Sequence, residues 1–373
     1  MINTYIPYFK KKDQNILNQC LKTNFVSTAG PLVKKFQDNF CKKYNFKFSV
    51  AVNSGTSALH LGLKALGVNK GDSVILPSYT FAATANAVIY NNAYPWFFDC
   101  DENFNLPIDK IEKILKSKTY IRNKNLVLRK NNSIVRAIIP VSTFGKKLEF
   151  NNLMRFSKKY NLKILFDTAA CHDPKIFNFK KNNKMHFCFS FNGNKTITTG
   201  AGGIFASNSK KIVSKVNTLA NVGKKKSKYD YEDVGFNYRM TNVQASFGLS
   251  QLSNLKNILL LKKKIFQNYY EKFKNLKNMK CFFDPKNQNW VFVIIVNSNQ
   301  KFKSVQKLFQ KAKIQLDFFW KPLHLQNPYK EFMRENLGFS EFIWKKVIVL
   351  PSHPGLRKND QKKITRIIRK IDD

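Results

Sequence analysis

Residues 187–203 read F-C-F-S-F-N-G-N-K-T-I-T-T-G-A-G-G, and the reading of this stretch decides the fold. Residues 185–191 form a mostly apolar run, the pattern of a buried strand in an α/β protein. Asn-Gly turn residues follow, then Lys195 among small polar residues. A Gly-rich turn then leads into a second apolar run at 203–206. One lysine therefore sits at a tight bend between two core segments, where burial can make its amine nucleophilic. Lys and Arg together number 65 in the chain, so lysine content alone singles out nothing. The company Lys195 keeps is what matters.

That company lies mainly upstream. Residues 162–167 (L-K-I-L-F-D) are a strand ending on Asp167, at the carboxyl end where open α/β sheets hold their ligands. Such an Asp either caps the following turn or stays ionised against a cationic partner. Residues 74–77 are another buried strand, leading into S-Y-T-F-A-A-T-A-N at 78–86. Phe81 there is either core or one wall of a pocket for a flat ligand. Residues 50–52 form a short strand, then N-S-G-T-S at 53–57 turns into an apolar helix at 58–66. A turn of this kind aims backbone N–H groups and a positive dipole end outward, which suits a phosphate. It is neither a Walker loop nor G-x-G-x-x-G.

Farther out, residues 14–44 read as a helical pair broken at Gly30-Pro31. Apolar runs at 97–99 and 137–141 continue the strand–helix alternation. The Lys/Asn-rich segment 116–135 reads as a surface excursion. After Gln251 come a long Leu/Ile/Lys helix, a β-rich run at 290–296, a helix from Phe302 and an amphipathic helix at 359–371. The expected organisation is a large domain over 1–250 and a smaller α+β domain over 251–373.

Composition narrows the function classes. At 373 residues, with 43% hydrophobic content and 34 Phe, the chain has ample material for a packed interior. No apolar run reaches membrane-span length, and the N-terminus lacks the layout of a signal peptide. The six cysteines are scattered without a C-x-x-C pair, so neither a disulfide framework nor a metal site is indicated. Reduced thiols in the cytoplasm are expected. The formal net charge is +42, but Lys is spread along the whole chain and accompanied by abundant Asn, Ile and Phe. That pattern points to compositional bias, with any attraction for anionic ligands secondary. No nucleic-acid motif accompanies the charge.

In order, N-S-G-T-S-A-L, P-S-Y-T-F-A-A-T-A-N-A-V, F-D-T-A-A-C-H, F-S-F-N-G-N-K-T-I-T-T-G-A-G-G and G-F-N-Y-R-M-T-N-V-Q-A resemble the DegT/DnrJ/StrS aminotransferases. These are pyridoxal phosphate (PLP) enzymes acting on nucleotide-linked keto sugars. The resemblance runs from 26–31 to 350–356. It implies a fold-type I α/β architecture, with a mostly parallel central sheet flanked by helices. It also implies roles for individual residues. Lys195 matches the lysine that bonds to PLP and moves the proton between cofactor and substrate carbons. Asp167 matches the carboxylate paired with the ring nitrogen, and Phe81 the aromatic stacked on the ring. Gly55, Thr56 and Ser190 match the phosphate cradle. Asn237 matches a residue reaching the phosphate from the neighbouring subunit, which implies a homodimer with shared active sites. Arg239, in N-Y-R-M-T-N, and His324, in K-P-L-H-L, are candidate substrate contacts, as is His353.

Such chemistry needs a conjugated cationic ring to accept electrons from a carbon next to an amine, hence both the lysine and the acid. Glutamate is the expected donor and a keto sugar the acceptor. Three departures stand out: Ala170 where Gln, Glu or His is usual, Ala201 within G-A-G-G, and Asp173 where Gly is common. His172 is a candidate to reach the cofactor's phenolic oxygen in place of Ala170, whose methyl cannot, whereas His60 and His186 read as structural. Lysine at 195, where a deoxygenating branch has histidine, selects transamination. The S-F-N-G-N-K wording resembles enzymes that aminate C4 of UDP-4-keto-6-deoxy-N-acetylglucosamine. N-Y-R-M-T-N-V-Q-A together with N-K-T-I-T-T-G resembles GDP-perosamine synthase. C3 amination, and a PLP-binding regulatory or nucleic-acid-associated role, are the remaining alternatives.

Overall fold

A computed structural model of the chain describes residues 1–178, 182–224, 229–283 and 290–372. Its strands are β1 (Phe48–Val52), β2 (Ser73–Pro77), β3 (Tyr94–Phe98), β4 (Thr119–Arg122), β5 (Asn125–Leu128), β6 (Val135–Ile138), β7 (Lys163–Ile164), β8 (Phe166–Asp167), β9 (His186–Ser190) and β10 (Gly203–Ser207). Further along are β11 (Met279–Phe282), β12 (Phe292–Val296) and β13 (Val347–Leu350). β7 and β8 are one line of chain interrupted at Leu165. The Leu165 and Asp167 amides still donate across to Ile138 and Pro140, and Val141 bridges Asp167. The main sheet therefore runs β3-β2-β6-β7/β8-β9-β10-β1. β3, β2, β6, β7/β8 and β9 are mutually parallel, while β10 pairs antiparallel with both neighbours. This is the expected mostly parallel sheet.

Its strands are apolar throughout because both faces are covered. All five residues of β2 and of β9 are buried. Along β9 the side chains alternate. Phe187 and Phe189 pack with Phe36, Phe40 and Tyr44 of the helix Leu32–Tyr44, while Cys188 faces Leu59, Leu61 and Leu63 of the helix Gly55–Ala65. Each fully buried Phe contributes roughly 1.5–3 kcal/mol of transfer free energy, and the aromatic layer fastens the N-terminal helices to the sheet.

The helix expected after Gln251 starts earlier, at Asn242, behind a Thr241/Gln244 capping box, and runs to Phe273. The expected division at 250/251 thus falls within one helix. Beyond it, β11-β12-β13 form an antiparallel sheet. That sheet shares an apolar cluster with the helices Asn299–Lys311 and Lys358–Asp372. The segment read as a surface excursion, 116–135, is instead partly core. It forms the β4–β5 hairpin, and Leu126, Val127 and Leu128 are buried at 3%, 0% and 1% exposure. Lys and Asn on both sides of a four-residue strand masked its apolar pattern.

Candidate active site

The carboxyl ends of the parallel strands gather the predicted residues. Asp167, the last residue of β8, is buried. The Thr84 hydroxyl donates to its Oδ2 at 2.8 Å, and the Ala169 amide donates to Oδ1 at 3.1 Å. Burial pushes its carboxyl above the usual range, against the pull of these donors and of the Lys195 charge. Lys195 sits in the turn between β9 and β10, where its amide donates to the Asn192 carbonyl. Its Nζ lies 3.8 Å from the centroid of the Trp290 ring. Burial brings its amine down to about 8, with Asp167 opposing the fall. An amine titrating there has a large neutral, nucleophilic fraction near neutral pH.

Ser190 closes β9 and lies against the start of the helix Gly55–Ala65. A Cβ on Gly55 would come within 2.7 Å of the Ser190 Cβ, so only glycine lets the turn approach the strand end. Ser54 caps the helix by accepting from the Ser57 amide at 3.0 Å. The first turn, including Thr56, carries no acidic residue. Together these bring a helix N-terminus free of acidic residues close against the end of β9.

Other predicted residues stand apart from this buried group. Phe81 precedes the helix Ala82–Ile89 and is 60% exposed, with the Trp320 ring centroid 6.5 Å from its own. Asn237 is exposed, although its backbone bridges Asn221. Arg239 bridges Val52, beside the Asn53–Ser57 turn, and its Nε is buried without a hydrogen-bond partner among the described residues. His324 docks on the end of β2. Its Nδ1 lies 2.7 Å from the Ser78 hydroxyl and its Nε2 3.0 Å from Glu341 Oε1, so both ring nitrogens have protein partners.

His172 lies 2.9 Å through Nε2 from the Ser190 carbonyl. Burial, reinforced by Lys195, lowers it to about 3, so it stays neutral at physiological pH. His186 bonds Ser207 through Nδ1 at 2.8 Å, as expected of a structural histidine. His60 is wrapped by Phe236, Tyr90 and Tyr238, and burial lowers it to about 4. Sequence reasoning missed Thr84 and Trp290. Thr84 sits within the quoted 78–86 motif, three residues after Phe81, where helical spacing was a usable signal. Trp290 is 95 residues from Lys195 in sequence, and no local pattern announces it.

A doubly covered sheet, with a softened lysine and a buried carboxylate at its carboxyl end, defines a fold-type I PLP-dependent enzyme. The chain belongs to the DegT/DnrJ/EryC1/StrS aminotransferase family, which matches residues 7–369. It is 29% identical to the GDP-perosamine synthase of Caulobacter vibrioides, over 100% of this chain and 97% of that protein. It is 28% identical to the UDP-4-amino-4,6-dideoxy-N-acetyl-beta-L-altrosamine transaminase of Campylobacter jejuni, over 94% and 92%. The crystal structure of a DegT DnrJ EryC1 StrS aminotransferase from Brucella abortus superposes with a TM-score of 0.85 at 25% identity, covering 97% of this chain and 95% of that one. The protein is thus a nucleotide-sugar aminotransferase, and PLP is its cofactor. Among the described residues, no helix is long and apolar enough to cross a membrane.

Proposed function

We propose that the protein transfers an amino group from L-glutamate to a nucleotide-linked 4-keto-6-deoxy sugar, giving the 4-amino-4,6-dideoxy product. The observation that carries this reading is the pairing of a softened amine at Lys195 with a buried, Thr84-held carboxylate at Asp167. PLP supplies an electron sink for the carbon next to the transferred nitrogen. The residues present fit it. The Gly55–Ser190 cradle, which a Cβ would fill, takes the phosphate with Thr56. Asp167, costly to keep ionised in its buried position, would gain a cationic partner in the cofactor's ring nitrogen beyond the Lys195 charge it already feels. Lys195 would hold the cofactor through its amine and, as a free base, would move a proton between the reacting carbons. Phe81 covers one face of the ring. Asn237 of a second copy of this chain completes the phosphate contacts, and Arg239 and His324 face the substrate.

The sugar read here is the UDP-N-acetylglucosamine type, from the S-F-N-G-N-K run. The Caulobacter relative supports GDP-linked 4-amination as the second reading. The cytoplasm is the compartment this reading implies. The test is the visible absorption of purified protein with PLP, before and after L-glutamate. The yellow band of lysine-bound PLP is expected to form and then give way to the aminated cofactor, and UDP- and GDP-linked keto sugars are then compared for restoring it. Absence of the band removes the role of Lys195. A band indifferent to glutamate removes the donor.

A further inference from the structure

Lys262, on the helix Asn242–Phe273, is 4% exposed and has no carboxylate partner among the described residues. Its Nζ donates to the Trp290 carbonyl at 2.8 Å and to the Ser352 carbonyl at 3.2 Å. Burying an ammonium against two neutral acceptors is costly, and burial alone brings its titration down to about 7. What this charge holds is Trp290.

Trp290 is fixed from every side. Its amide donates to the Phe144 carbonyl at 2.7 Å and its Nε1 to the Asn194 carbonyl at 2.7 Å. Its ring stacks on Tyr5 and Phe319, with centroids 5.6 and 5.5 Å away. Phe144 is a buried aromatic in the left-handed region at φ 58°, where a bulky side chain is strained. Beside it, Gly145 at φ 81° approaches so closely that a Cβ would lie 2.7 Å from the Trp290 amide nitrogen. A buried charge and a strained turn thus both fix the backbone of Trp290, and the Lys195 Nζ rests on the face of that residue's indole.

We propose that Lys262 is a positioning residue for Lys195: it anchors Trp290, whose ring is the resting place of the Lys195 ammonium whenever the amine is free of PLP. The proposal rests on the reading of Lys195 as the PLP-bonding lysine. A ring face favours the charged amine, so Trp290 holds the Lys195 titration higher than burial alone would leave it. The other titratable groups nearby leave this balance unchanged. His172 and His353 are lowered to about 3 and about 4 and stay neutral, and Asp167 is common to all variants. Lys262 itself is largely neutral by pH 8, so its removal acts through Trp290.

The test measures the rate at which PLP bonds to the apoprotein as a function of pH, followed by the yellow band. Lys262→Met and Trp290→Leu should each lower the midpoint by about half a pH unit. Because they act through one unit, the double variant should move it no further. The variants should also lower kcat several-fold while leaving KM for the amine donor within about twofold. A midpoint unchanged from wild type in a cooperatively melting Lys262→Met or Trp290→Leu protein overturns the proposal. Should Lys262→Met not melt cooperatively, Lys262→Gln replaces it, and an unchanged midpoint there is equally fatal. Failure of the wild type itself to form the band is a different result: it removes the role of Lys195, and the proposal with it.

Discussion

Asp167, Ser190 and Gly55 sit in packed surroundings with partners supplied by their own chain, whereas Phe81 and Asn237 stand in solvent. Near Asn237, Val234 is 83% exposed and Tyr229 73%. The first group is placed by the sheet: a parallel strand end fixes the carboxylate, and a hairpin turn fixes the lysine. The second group belongs to a helix cap and to the stretch 229–237, most of which is exposed. The chain by itself therefore fixes Asp167 and Lys195, while Phe81 and Asn237 face outward. That contrast fits the proposal that a second copy of the chain completes the site.

Substitutions can break this contrast or sharpen it. Lys195→Ala should have the largest effect, at least about a thousandfold in turnover, with the yellow band absent from the PLP-incubated protein. Asp167→Asn should follow at about a hundredfold or more in kcat, because the ring nitrogen loses its anionic partner. PLP should still bind, as judged by absorbance after gel filtration. The rate of PLP attachment should rise about tenfold per pH unit below pH 8 and level off above it. The sign follows from the lowered titration of Lys195: its reactive neutral form fills as pH rises through about 8. Asn237→Ala should be mildest, about tenfold in the concentration of PLP needed. Mixing Lys195→Ala with Asn237→Ala protomers should restore wild-type PLP affinity at about a quarter of all sites if the contact crosses between copies. No recovery would place Asn237 within its own protomer's site.

The placement of the buried half was legible in the sequence because it rides on short-range pattern. A strand ending on Asp167, and a strand–turn–strand with Lys195 at its tip, announce themselves by apolar periodicity and turn residues. The anion turn at 53–57 was legible for the same reason, although its helix begins at Gly55 rather than Ala58. The supports of that half were not legible. Thr84 meets Asp167 from the helix Ala82–Ile89, and Trp290 meets Lys195 from just ahead of β12. Lys262 is one lysine among many in a helix whose neighbours are also Lys and Leu. The β4–β5 hairpin was hidden for a related reason, because a lysine- and asparagine-rich composition flattens the contrast between core and surface.

Gly203 opens β10 and pairs with Ser190 of β9 on one side and Val52 of β1 on the other. A Cβ there would meet the Ser54 carbonyl oxygen at 2.3 Å. The lysine-bearing hairpin and the 53–57 turn therefore meet at a strand end with no room for a side chain. It works as a gauge block: the spacing between the two is set by strand pairing. Loops elsewhere can be lengthened, shortened or rewritten without changing that spacing.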